Sequence, residues 1–292
     1  MSIESVVQQS FENWELIISD NGSTDGSLDF CNSVSDSRIR VVSHTGPQTI
    51  ADSLNFGVSL AKGSLVARID SDDVAHPTRL SKQVSLLETD PEIGLVGSWM
   101  TVFGKRKTQW EYPVHNADVQ LAMLFGNPFG HPAVMFRKNW DQGEVGYYDP
   151  KYDLAEDYEL WARMSRQWKC VNIPEPLTGY RIHSRQATRS DSEERSQVVF
   201  EIREKHRAHH GLAPYPRNPS LCEFQHAWNS LEIVLRGRDS FTGSNFREQR
   251  LLQLRLLLRT RLTRIARFLG LAEIVIHLRN LRENPFKSMN ED

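Results

Sequence analysis

Cysteine is scarce in this chain of 292 residues: Cys31, Cys170 and Cys222 are an odd number with no Cys-x-x-Cys pair. That excludes a disulfide framework or a cysteine zinc site and reads as reduced thiols. No stretch reaches the roughly 18 uninterrupted apolar residues that a membrane-spanning helix needs. The N-terminus has neither the basic flank nor the apolar core of a secretion signal, so a cytoplasmic location is expected. A surplus of charge is missing too. The net charge of −2 speaks against a general nucleic-acid binder, and no nucleic-acid partner is expected. Internal repeats are absent. What remains, 39% hydrophobic and 25% charged, is an ordinary globular composition. The length suffices for one large domain and an appendage.

Up to about residue 190, short apolar runs alternate with helical patterns, the style of βα units. Val6, Val7 and Phe11 belong to a first helix and Arg38-Ile39-Arg40-Val41-Val42 to an edge strand. The apolar stripe at 51, 54, 58 and 61 predicts a helix, with Gly63 as its C-terminal stop. Pro77 opens another helix carrying Leu80, Val84 and Leu87 on one face, and Leu95-Val96-Gly97 reads as a strand.

Two carboxylate clusters each follow a predicted strand. Asp20-Asn21-Gly22-Ser23-Thr24-Asp25 comes after Leu16-Ile17-Ile18, and Asp70-Ser71-Asp72-Asp73 after Leu65-Val66-Ala67-Arg68-Ile69. Ligands of open α/β sheets bind at the carboxyl ends of the strands. Two acidic loops there suit one ligand read by hydrogen bonds and one hard cation held by oxygens. A nucleotide diphosphate with its metal meets both conditions. Each loop also reads as a polar turn, because Asn-Gly and Ser-Asp are ordinary turn formers.

The order of further motifs narrows the choice. Ser5-Val6-Val7-Gln8-Gln9-Ser10-Phe11 and Trp14-Glu15 precede the first cluster; Ser53-Leu54-Asn55-Phe56-Gly57 and Pro77-Thr78-Arg79-Leu80 flank the second. Asn127-Pro128-Phe129-Gly130-His131-Pro132, Ala155-Glu156-Asp157-Tyr158-Glu159-Leu160-Trp161 and Tyr180-Arg181-Ile182-His183 follow. Over residues 2 to 190 this set resembles glycosyltransferase family 2. The resemblance implies an α/β GT-A fold, a Rossmann-like mixed sheet flanked by helices, over residues 1–190, with a helical C-terminal region over 191–292.

Two departures stand out. Family members begin with a strand and a Pro-x-Tyr-Asn-like turn before the helix that this sequence enters at Ser2. Without that strand a neighbouring strand keeps unpaired backbone groups. Where an Asn-x-Gly loop is common before Ala51, this sequence has Pro47-Gln48-Thr49.

The resemblance implies transfer of a sugar, by single displacement with inversion, from a nucleotide diphosphate, most simply a UDP-sugar, to a saccharide or lipid-linked acceptor. Such chemistry serves cell-surface polysaccharide or lipopolysaccharide synthesis. Asp20 and Asn21 would hold the base, Asp70 would face the ribose or assist the metal, and Asp72 would hold a divalent metal, Mn²⁺ or Mg²⁺, with His183 reaching that metal or the diphosphate. Asp157 would be the general base, with Glu156 touching the acceptor or orienting Asp157. Arg68 and Arg79 are expected to brace the acidic loop by pairing with its carboxylates. His131 is either structural or near the acceptor. The missing strand keeps an alternative open, an impaired nucleotide-binding or scaffold protein. A sugar-nucleotide pyrophosphorylase would need a glycine-rich phosphate loop with a basic residue, and none is visible.

Beyond Arg189 the pattern changes. Residues 191–210 are charged and helical, then Pro214, Pro216 and Pro219 interrupt. Over 247–283 nine arginines oppose three glutamates beside a leucine stripe. Such a helix either lies on an anionic membrane at the inner face of the cell, or packs against protein, including a second copy of the chain. The width of the apolar stripe favours protein.

Overall fold

The computed structural model describes residues 1–43, 49–104, 108–140, 147–183 and 193–212, all within the compact unit Met1–Ile233. Among these residues eight strands form: β1 (Leu16–Asp20), β2 (Ile39–Ser43), β3 (Leu65–Ala67), β4 (Val74–Ala75), β5 (Ile93–Gly104), β6 (Thr108–Trp110), β7 (Met135–Arg137) and β8 (Lys169–Ile182). Seven α-helices accompany them: α1 (Ser2–Val7), α2 (Ser27–Ser33), α3 (Ile50–Leu60), α4 (Arg79–Thr89), α5 (Asn116–Met123), α6 (Glu156–Met164) and α7 (Glu193–His209).

The main sheet runs β3-β7-β5-β8-β4, with β6 hooked onto β5. It is mixed: β5 and β8 are parallel, whereas β7 runs antiparallel to both β3 and β5. Side chains alternate across a strand, so neighbours on β5 and β7 serve opposite faces. Leu95 and Phe136 join α5, α6 and α7 in one cluster around Trp161, Leu160, Met123 and Ile202. Val96 and Met135 face the other way, onto Val84 and Leu87 of α4. The result is a sheet covered on both sides.

β1 and β2 form a separate parallel pair. Among the described residues β1 pairs only with β2, and β3 only with β7. The starts of β1 and β3 are tied together. Glu15, just before β1, accepts hydrogen bonds from the Lys62 and Gly63 backbone N–H groups at 2.5 and 3.3 Å, just before β3. Leu16, Ile17, Ile18, Leu65 and Val66 are only half-buried. α1 is sewn to the segment after β3: Ser2 Oγ donates to Asp70 O, Ala75 N to Ser5 Oγ, and Gln9 Nε2 to His76 O.

Helix bounds follow capping chemistry. Thr49 and Asp52 form a reciprocal capping box at the start of α3. Gly63 is not its stop: α3 ends with Ala61 in an extended conformation, and the glycine serves the Glu15 contact instead. α4 starts at Arg79, two residues after Pro77. α1 ends at Val7, and Phe11 lies beyond it, packed on the α4 side of the sheet. α7 realises the helix expected over 191–210, whereas the arginine-rich stretch 247–283 lies outside the described residues. Among the described residues no helix is long and apolar enough to cross a membrane.

Candidate active site

Asp20 ends β1 and is buried. Its carboxylate accepts the backbone N–H groups of Gly22 and Ser23 at 3.1 to 3.3 Å, and Gly22 turns the chain at φ 82°. Hydrogen bonding from Ser23 leads the lowering of its pKa below the ordinary carboxylate value. The turn reading of this loop is therefore realised. Asn21, beside it, is exposed.

The second loop follows β3. Arg68 grips Asp70 with both terminal nitrogens, Nη1 to Oδ2 at 2.7 Å and Nη2 to Oδ1 at 2.5 Å. Such a fork fixes the carboxylate plane. His183, at the end of β8, donates from Nε2 to Asp72 Oδ2 at 2.7 Å. Asp73 is fully buried: its Oδ1 accepts the Arg181 backbone N–H at 2.9 Å, while Oδ2 has no partner. Burial pushes its pKa up to about 7.

One carboxylate oxygen from each of Asp70, Asp72 and Asp73 lies within 4.8 Å of the others. All three donors are oxygens, and one buried oxygen is left unsatisfied, so the set fits a hard divalent cation. Arg79 does not take the role expected of it. Its buried guanidinium bonds to the Arg68 and Val134 carbonyls and to Gln83 Oε1, a brace of the backbone, and among the described residues no carboxylate lies within ion-pairing distance of it. Arg68 alone pairs as expected.

The other group of acids opens α6, brought under the sheet by Trp161 and Leu160 of the same helix. Glu156 is buried and Asp157 half-buried. Asp157 Oδ2 accepts from Asn127 Nδ2 at 2.7 Å and Oδ1 from the Tyr158 N–H at 2.7 Å. His131 Nδ1 stands 3.9 Å from Glu156 and 4.0 Å from Asp157, and its Nε2 is 3.1 Å from Tyr148 OH. Burial, then the Arg68 charge, hold His131 well below its ordinary pKa, so the ring is neutral. Burial raises both carboxyls, Glu156 to about 8, and the Asp157 charge adds to that rise.

Arg68 links the two groups: it pairs with Asp70 and its field also acts on Asp73, His131, Glu156 and Asp157. Tyr148 and the linking place of Arg68 escaped the sequence reading. Asn127 and His131 were inside a recognised motif, whereas nothing in the sequence marks Tyr148. A surface hollow lined by Glu92, Gln120, Arg166 and Trp168 sits where β5 and β8 begin and contains none of these acids.

The sequence pattern of glycosyl transferase family 2 matches residues 2–144. An O-antigen biosynthesis glycosyltransferase of Escherichia coli is 32% identical over 206 residues, 65% of this chain and 76% of the relative. A glycosyltransferase of Haemophilus influenzae without an assigned reaction is 31% identical over 215 residues, 69% and 67% of the two chains. Among solved structures, Staphylococcus aureus TarS in complex with UDP superposes with a TM-score of 0.51 at 14% identity, covering 80% of this chain and 75% of that one. That likeness shows a shared GT-A fold.

Proposed function

We propose that this chain, which belongs to glycosyl transferase family 2, moves a sugar from a uridine diphosphate donor to a saccharide or lipid-linked acceptor during cell-surface polysaccharide synthesis, at the cytoplasmic side of the cell. The observation that supports this reading most is the pair of unlike acid groups, Asp70/Asp72/Asp73 and Glu156/Asp157, both within the field of Arg68. The O-antigen role of the Escherichia coli relative supports the acceptor class, and the UDP bound to TarS supports the donor class.

Asp20 receives the uracil imide N–H. Its carboxylate already serves Gly22 and Ser23, but two oxygens offer about four acceptor sites, which leaves room. Asn21 lines the base, and Asp70, set in its plane by Arg68, accepts a ribose hydroxyl. Asp72 and His183 would hold the divalent cation, Mn²⁺ or Mg²⁺, with Asp70 and Asp73 beside them. When bound, that cation offsets negative charge on the departing diphosphate.

Asp157 takes the proton of the acceptor hydroxyl. The hydroxyl oxygen bonds to the anomeric carbon from the face opposite the diphosphate. The bond from that carbon to the diphosphate oxygen breaks, and its electron pair leaves with the diphosphate. One displacement inverts the anomeric centre. Asn127 and the Tyr158 N–H hold the Asp157 carboxylate in place for the transfer.

Calorimetric titration with UDP, with and without Mn²⁺, tests the reading. Binding that strengthens with Mn²⁺ supports it. Equal affinity in both conditions removes the metal role of Asp72, and no UDP binding in either overturns the donor class. A second reading, a nucleotide binder without transfer, draws on the one-sided pairing of β1 and β3 among the described residues. UDP binding with no turnover on any donor would select it.

A further inference from the structure

Glu156 and Asp157 are consecutive acids in the first turn of α6, yet their surroundings differ. Each Asp157 oxygen has a donor at 2.7 Å. Glu156 is 7% exposed, and among the described residues no lysine or arginine lies within ion-pairing distance of it. Among the described residues the neutral His131 stands 3.9 Å from it. The charged and titratable groups facing the pair are His131 from the turn before β7, Tyr148, and Asp153 from the loop before α6. Arg68, committed to Asp70, faces both, and Arg195 of α7 acts on Asp157. Two adjacent carboxylates that are largely out of water do not both ionise readily. Hydrogen-bond donors favour the charged form; Asp157 accepts from the Asn127 amide and the Tyr158 N–H, whereas Glu156 draws on its own backbone N–H, so the charge settles on Asp157.

We propose that Glu156 works as a neutral carboxylic acid that donates its hydrogen to an oxygen of the acceptor sugar, beside an Asp157 that alone carries the negative charge. This extends the assignment of Asp157 as general base and rests on it only for the acceptor contact. Burial first, and the Asp157 charge second, keep Glu156 protonated through neutral pH. A proton donor next to the base selects a neutral polyhydroxyl acceptor whose attacking hydroxyl has a second oxygen alongside. The acceptor proton goes to Asp157, and Glu156 keeps its own.

The protonation is measurable without substrate. Infrared spectra of the full chain at pH 7 should contain a protonated-carboxyl C=O band that is absent from Glu156→Gln and disappears with a midpoint near the Glu156 pKa of about 8. No such difference at pH 7 would overturn the proposal. Thermal melts give an independent check. The melting temperature of Glu156→Gln minus that of wild type should grow from pH 5 to pH 9, and a pH-independent difference would count against it.

The acceptor contact is read with UDP-glucose, UDP-galactose and UDP-N-acetylglucosamine as donors and p-nitrophenyl hexosides as acceptors. Glu156→Gln, which keeps a donor, should lower kcat/KM at pH 7 by less than about tenfold and Glu156→Ala by more, given the usual worth of one hydrogen bond. The alkaline fall of the wild-type profile should vanish in Glu156→Gln. Equal losses in the two variants would overturn the donor role. If UDP fails to bind while the infrared band is present, the donor reading fails and the protonation of Glu156 stands.

Discussion

Asn127 Nδ2 donates to Asp157 Oδ2 at 2.7 Å, from the segment after α5 to the first turn of α6. The amide both orients the carboxylate and favours its charged form. Asn127→Ala should therefore lower kcat by about tenfold, the low end for a hydrogen bond to a charged group, because Asp157 is 20% exposed and water can replace the amide. The affinity for UDP should not move. Steady-state kinetics beside calorimetry check the split, and a matching loss of UDP affinity would count against an orienting role.

The His183–Asp72 contact predicts a metal phenotype. Removing divalent ions with EDTA should abolish transfer, and Mn²⁺ should restore it. Asp72→Asn should weaken UDP binding in the presence of Mn²⁺ and leave the metal-free affinity unchanged. Titration of both proteins in the two buffers gives the four values. A variant still sharing the Mn²⁺ enhancement of wild type would remove Asp72 from the cation site.

Acid stability should depend on His206. The ring is fully buried in α7 and neither nitrogen has a hydrogen-bond partner. Burial, then the positive neighbours His210, Arg166 and His209, lower its pKa from 6.5 to about 3. The unfolded chain takes up a proton below pH 6.5 and the folded chain does not, so stability falls as pH drops from 6.5 toward 3. Between pH 6.5 and 4.5 that loss is at most about 3 kcal/mol, at 1.36 kcal/mol per pH unit. His206→Leu should flatten this part of the profile. Urea denaturation at several pH values tests it, and an unchanged acid slope would contradict the assignment.

Much of the fold is visible in the sequence wherever local pattern and tertiary environment agree. The stripe at 51, 54 and 58 lies in α3, and the runs before the two acidic clusters lie in β1 and β3. Arg38–Val42 was expected as an edge strand, and among the described residues β2 pairs only with β1. Sheet order and direction were not visible. The antiparallel β7 is three residues long, too short for periodicity to mark, and the bulges that let β8 follow β5 depend on pairing between distant segments.

At the site, the acids themselves were readable and their partners were not. Asp157 and Glu156 stand in a recognisable motif, but the difference between them comes from Asn127 and His131, some 25 to 30 residues away in sequence. The mistaken partner of Arg79 has a similar cause. A buried arginine beside an acidic loop suggests ion pairing, whereas three backbone and amide oxygens satisfy it where the chain folds back. Pattern reveals which residues are polar and where; it does not reveal which carbonyls will be left in need of a donor.

The central claim is that Asp157 removes the acceptor proton, and Asp157→Asn tests it most directly. The substitution keeps shape and removes basicity, so transition-state stabilisation should be lost without loss of ground-state binding. The expected result is a fall in kcat of about 10²-fold or more, the usual worth of a positioned base, with UDP affinity measured by calorimetry unchanged. Turnover above about a tenth of wild type would contradict the assignment, given the same scale.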